Sequence, residues 1–159
     1  MAEGKKVNFK RETAKKHLEE LVKRVETINK DKKSYMKVSD LYVFGSYLQG
    51  TSTVHDLDIF IDIKETPYCW DVINKQYNGD RVAFFLDYAD KSDRNYSSFE
   101  DRLFWCLEDY LRKIKASSRV ISLHDMHDYR TLSAQPDFKY VKLIENYQLN
   151  KEYYKDLMK

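Results

Sequence analysis

The chain has 159 residues, which suits one domain with a real core, since a chain of this size buries roughly 68–70% of its unfolded surface. It is 42% hydrophobic and 34% charged, and its formal charge of +2 excludes the strong basic field that a nucleic-acid binder carries. Cys69 and Cys106, the only cysteines, have no CxxC spacing and no His/Cys neighbours, which excludes a zinc cluster and a disulfide framework.

In chain order, the opening "MAEGKKVNFK" lacks the apolar run of a signal peptide, and no segment reaches transmembrane length. A soluble, cytoplasmic protein is the expectation. The basic excess of the first forty residues reads as a solvated helix face. From about Phe9 to Asn29, apolar residues recur in steps of three and four: Ala14, Leu18, Leu21, Val22, Val25 and Ile28. That is one stripe of an amphipathic helix. "DKKSYMK" is a polar connector. "DLYVFG" reads as a short buried strand closed by Gly45, "SYLQG" as a helical turn, and "TSTVH" as a loop that includes His55.

"DLDIFIDI" is a second strand, rich in β-branched and aromatic residues, and Pro67 marks its end. "CWDVINKQYNGDRVAFFLDYAD" reads as one helix or two, interrupted at "NGD". "KSDRNYSS" is a surface loop. Phe99 to Lys115 reads as one helix from Phe99, Leu103, Leu107, Leu111 and Ile114, with Ser98 as N-cap and Asp101 completing a capping box. "RVISLHD" is a third strand, "FKYVKLIEN" a fourth, and "KEYYKDLMK" a charged tail with one last helical turn. His17 and His127 are expected on the surface, and Trp70 and Trp105 in the core. The order gives a mixed α/β fold, its sheet packed by helices mainly on one face. The division expected is a helix over 1–30, a core over 40–125 and a C-terminal strand and tail over 136–159.

Within this frame two acids stand out. Side chains at i and i+2 of a strand share a face, so Asp56 and Asp58 lie together, with Cα atoms about 6.5–7 Å apart. Leu57, Ile59 and Ile61 take the opposite face. Two adjacent carboxylates repel unless a cation sits between them, and a pair of hard oxygen ligands suits Mg²⁺. Asp62 shares their face but lies about 13 Å from Asp58 along the strand, too far to join them. Upstream, Gly45 permits a tight turn and close approach to a ligand, and Ser46 suits the N-cap of a short helix whose N–H groups face phosphate.

"VFGSYLQGTSTVHDLDIFIDI" is similar to the hG-S…DxD signature of the DNA polymerase β-like nucleotidyltransferase superfamily, in its minimal single-domain form. The resemblance implies that Gly45, Ser46 and Tyr47 hold the triphosphate, while Asp56 and Asp58 bind two Mg²⁺ ions. A hydroxyl of a small molecule, protein or RNA then attacks the α-phosphorus, and pyrophosphate leaves. It also implies a third carboxylate on a later strand. The matching strand offers Ser122 and His124 inward, and Asp125 is the candidate metal ligand, with His124 as the alternative. Related enzymes carry a basic residue where this chain has Tyr47; Arg119 is a candidate replacement. The partners implied are a nucleoside triphosphate and a protein acceptor, including a helical toxin-like partner. The alternative function is a catalytically weak or inactive relative that senses nucleotide or binds protein, including one linked to a toxin–antitoxin pair.

Overall fold

The computed structural model describes residues 7–159. The expectation for the first six residues, part of the basic N-terminal stretch, lies outside them. A two-residue strand β1 (Phe9–Lys10) leads into helix α1 (Arg11–Lys30), which buries Ala14, Leu18, Leu21, Val22 and Val25 as the stripe requires. Its end is tied to the sheet by Asn29, whose side chain donates to Val38 O and accepts from Val38 N–H, both at 2.9 Å.

Strand β2 (Met36–Phe44) begins four residues earlier than its apolar run suggests. Met36 and Val38 are buried on either side of a half-exposed Lys37, so the alternation of a strand already holds inside the polar connector. A 3₁₀ turn (Gly45–Gln49) follows, then the short β3 (Thr53–Val54) inside the expected loop, paired with β1. Strand β4 (Leu57–Glu65) runs antiparallel to β2, with Phe44 opposite Asp58.

The "NGD" interruption separates α2 (Pro67–Gln76) from α3 (Arg81–Asp90), capped by Thr66 and Asp80. The next helix is broken rather than continuous: α4 (Phe99–Leu103) and α5 (Trp105–Lys115) meet at Phe104, which has φ −94° and ψ 3°. The break shifts the buried set to Trp105, Cys106, Tyr110 and Ile114, leaving Leu107 and Leu111 only half-buried and Phe99 52% exposed. Ser98 caps α4 as expected, but Asp101 accepts from the Ser97 hydroxyl instead of closing a box.

Strand β5 (Ile121–His124) pairs parallel with the first half of β4. Helix α6 (Met126–Ser133) has no counterpart in the sequence reading, because its eight residues are too short for a convincing stripe. Strands β6 (Tyr140–Glu145) and β7 (Gln148–Leu149) and helix α7 (Lys151–Leu157) complete the chain; α7 is a capped helix, longer than the single turn expected.

The main sheet has the order β5-β4-β2-β6-β7. One face carries the aliphatic core: Val38, Leu41 and Val43 of β2 and Leu57, Ile59 and Ile61 of β4 pack against α1 and the end of α5. A second cluster beside it, from α2, α3 and α5, encloses both cysteines, whose thiols burial pushes up to about 11 at Cys69 and about 12 at Cys106. The opposite face is aromatic: Tyr42, Phe44 and Phe60 are buried beneath Met126, Tyr129 and Leu132 of α6 and beneath Phe138. No helix among the described residues is long and apolar enough to cross a membrane.

Candidate active site

The sheet's pairings bring four chain segments to one end. β2 ends at Phe44, β4 begins at Leu57, β5 begins beside it with Ile121 opposite Leu57, and β6 begins with Tyr140 opposite Phe44. The Gly45 turn and the two acids therefore meet at the same rim.

Asp58 is the centre of this rim. Its carboxylate lies directly over Gly45: a Cβ added there would stand 2.4 Å from Asp58 Oδ2. Gly45 also has φ +78°, so it serves both reasons for a glycine, a left-handed turn and a close approach. On its other side Asp58 Oδ1 is 3.2 Å from His124 Nε2, which in turn is 3.1 Å from Ser122 Oγ. Stacked Phe44 and Phe60, with ring centroids 3.9 Å apart, wall the acid from the interior, and His124 packs edge-on against both. Burial drives the Asp58 carboxyl above its ordinary value, and the contact with His124 pulls it part of the way back.

Asp56 is half-exposed and sits just before β4. Ser46 holds this approach in place. Its Oγ accepts from His55 N–H at 3.0 Å and donates to Asp56 C=O at 3.4 Å. Ser46 thus lies inside the 3₁₀ turn and fastens the loop that delivers Asp56; it is not the N-cap expected from sequence.

The remaining candidates lie elsewhere. Tyr47 is fully buried in the aliphatic core, its hydroxyl donating to Leu157 O in α7, so its ring does not reach the rim. Arg11, which the sequence reading passed over, donates to Tyr47 O at 2.6 Å, and its guanidinium lies 4.3 Å above the Tyr47 ring. Arg119 lines a hollow with His17, Glu20 and Arg24. Asp125 is exposed and caps α6, accepting from Asp128 N–H at 2.9 Å. In the parallel register Ser122 stands opposite Asp58, where a third acid would face the pair. A cleft of about 620 Å³ opens beside Gly45, between the 45–49 turn and the loop over 135–139, and Lys139 is the one basic residue lining it.

No three His, Cys, Asp or Glu side chains gather as a metal cluster among the described residues. The donor set nevertheless suits one hard cation: Mg²⁺ is usually held by one or two carboxylates with substrate phosphates and water completing its shell, not by an all-protein cage. Asp56 and Asp58 are the two rim carboxylates that could hold such an ion, and Ser122, opposite Asp58, offers no third.

No curated protein and no solved structure matches the chain. The family model of the nucleotidyltransferase domain matches residues 18–119, more than half of the chain, from α1 to the threshold of β5, and it includes the Gly45 turn and both rim acids. By that match the chain belongs to the nucleotidyltransferase domain family, in agreement with a minimal member of the polymerase β-like superfamily.

Proposed function

We propose that the protein transfers a nucleoside monophosphate from a nucleoside triphosphate to a hydroxyl acceptor, with Asp56 and Asp58 holding Mg²⁺. The observation that carries this reading is the Asp58 carboxylate lying over Gly45 at the rim where β2 ends and β4 begins. Mg²⁺, when bound, neutralises phosphate charge and polarises the α-phosphorus. The chain's own groups do the rest. The Gly45–Ser46 turn lets the backbone approach the triphosphate closely. Ser46 fixes the loop carrying Asp56, and His124 orients Asp58. The cleft beside Gly45 is large enough for a nucleotide, and Lys139, which shares its lining with Asp137, is the cation nearest to hand for the phosphates. The acceptor hydroxyl gives its proton to water as its oxygen bonds to the α-phosphorus, the α–β phosphoanhydride bond breaks, and pyrophosphate departs.

A second reading has its own observation. Ser122 and His124 face Asp58 and Phe60 from β5, where the resemblance implies a third acid, and their presence favours a nucleotide-sensing or protein-binding relative with little turnover. The acceptor, a small molecule, an RNA or a protein such as a helical toxin-like partner, is where the two readings part. Melting is measured with each nucleoside triphosphate, with and without Mg²⁺. Incubation with α-labelled nucleotide and a cell lysate then detects transfer. Mg²⁺-dependent stabilisation plus label that disappears in Asp58→Asn supports the transferase. Stabilisation without label supports the sensor. If no nucleotide shifts the melting point, both readings fail.

A further inference from the structure

β5 covers only the first half of β4. Its pairing stops at Phe60 opposite His124, while β4 continues to Glu65. Beyond that point the outer edge of β4 has no strand partner among the described residues. The direction of its backbone groups follows from two contacts. Leu57 N–H donates outward to Val120 O, whereas Asp62 C=O faces β2, where it accepts from the Ser39 hydroxyl. Successive residues of a strand alternate, so Ile61 N–H is taken up by the last rung with His124, while Ile61 C=O and the N–H and C=O of Ile63 point outward into the gap that β5 leaves. Such a row of unpaired groups is a template for another strand.

The gap is a groove of about 400 Å³, and its two walls differ in chemistry. On the side of the aliphatic core it is lined by Ile61 and Ile63 and by Leu107 and Leu111, the α5 residues that the break at Phe104 leaves half-buried. On the opposite side stand Asp62, Asp125 and Asp128, with Met126 between them. Lys64 on that side lies 3.9 Å from Asp62, which leaves three acids against one lysine and His124. Leu107 also borders a second, mostly apolar hollow of about 330 Å³, with Val82 and Phe104 at its mouth, 46% and 59% exposed.

We propose that this groove is a docking site for an extended segment of a partner protein, which adds as a strand alongside Ile61–Glu65 and alternates apolar with basic side chains. The alternation is dictated by the groove. Successive side chains of the added strand point to opposite walls, so every second one meets Leu107 and Leu111 while those between meet the aspartates. An apolar residue at its end fits the hollow under Phe104. The groove shares no lining residue with the cleft beside Gly45, and His124, which reaches Asp58, stands at its border.

The test uses the full chain and a short synthetic peptide alternating valine and lysine, with two controls: the same peptide with glutamate for lysine, and one N-methylated on every second amide so that it cannot pair along one edge. The lysine peptide should bind saturably and slow amide exchange at Ile63 by at least about tenfold. The glutamate and N-methylated peptides should each bind about tenfold more weakly or worse, and Asp128→Lys, on exposed α6, should weaken the lysine peptide. No saturable binding of the lysine peptide up to about 1 mM overturns the proposal. So does equal binding of either control, or binding that leaves Ile63 unprotected.

Discussion

The two faces of the central sheet are built from the same strands and do opposite things. On one, Leu41 and Val43 of β2 and Leu57, Ile59 and Ile61 of β4 are aliphatic and buried against α1. On the other, the intervening residues are Tyr42, Phe44, Asp58 and Phe60, aromatic rings and an acid in one row. The period of two in a strand sorts a packing chemistry from a reaction chemistry without any change of element. The aliphatic face fixes the backbone; the aromatic face, with Phe44 and Phe60 stacked beside the carboxylate, keeps water from one side of Asp58. The contrast predicts that substitutions on one face change stability while substitutions on the other change transfer.

The largest effect should come from the acid row. Asp58→Asn is expected to lower labelled transfer by more than about 100-fold, while the melting temperature holds or rises, because the group removed is one whose charge burial disfavours. A melting temperature that falls with activity would mean that the acid is structural and that the two faces are not separable. The aliphatic face should give the mirror image. Leu18→Ala, at a fully buried position of α1, should cost about 2–5 kcal/mol in urea unfolding. Transfer per folded molecule, measured in the cold, should stay near that of the parent.

Gly45→Ala tests the join between the faces. At φ +78° a side chain costs about 1–2 kcal/mol, and the new methyl would displace the Asp58 carboxylate that now occupies its space. Both readouts should therefore move: lower stability, and loss of Mg²⁺-dependent stabilisation by nucleotide. Tyr47→Phe removes only the hydroxyl's bond to Leu157 O, worth about 1 kcal/mol. Nucleotide binding should be unchanged, since the ring lies in the core; a change in nucleotide affinity would return Tyr47 to the site.

The same contrast explains what the sequence discloses. The stripe of α1, the alternation of β4 and the Gly-Ser turn are local patterns, and local geometry turns them directly into a helix, a strand and a rim. The joint at Phe104 was hidden because Phe99, Leu103, Leu107 and Leu111 form a good stripe that tertiary packing overrides in favour of Trp105, Cys106 and Tyr110. α6 is hidden because its eight residues carry no convincing stripe, and only the fold shows Asp125 capping it by accepting from Asp128 N–H. His124 was legible as an inward residue of β5, but its contact with Asp58 depends on the parallel register of β5 on β4, which joins residues 66 positions apart. The family resemblance sets Tyr47 beside the nucleotide. The 3₁₀ turn instead carries it into the core, and nothing local signals that turn's rotation.

The smallest effect is the pH dependence of stability. Burial raises the Asp58 carboxyl in the folded protein above its unfolded value, so between those two values the native state binds more protons than the unfolded one. The contribution of Asp58 must then fall as pH rises through that window, opposite in sign to a carboxylate held by a salt bridge. Other acids of the chain blur this in the parent protein alone, but subtracting the Asp58→Asn variant removes them. Urea midpoints compared from about pH 4 to 6, above the ordinary aspartate value near 3.9, should show the parent losing stability relative to the variant as pH rises. His124 opposes the trend through its contact with Asp58 Oδ1, so replacing His124 with Gln should steepen it. Parallel curves for parent and variant would mean that water reaches Asp58 freely, and the aromatic face would then be packing like its counterpart.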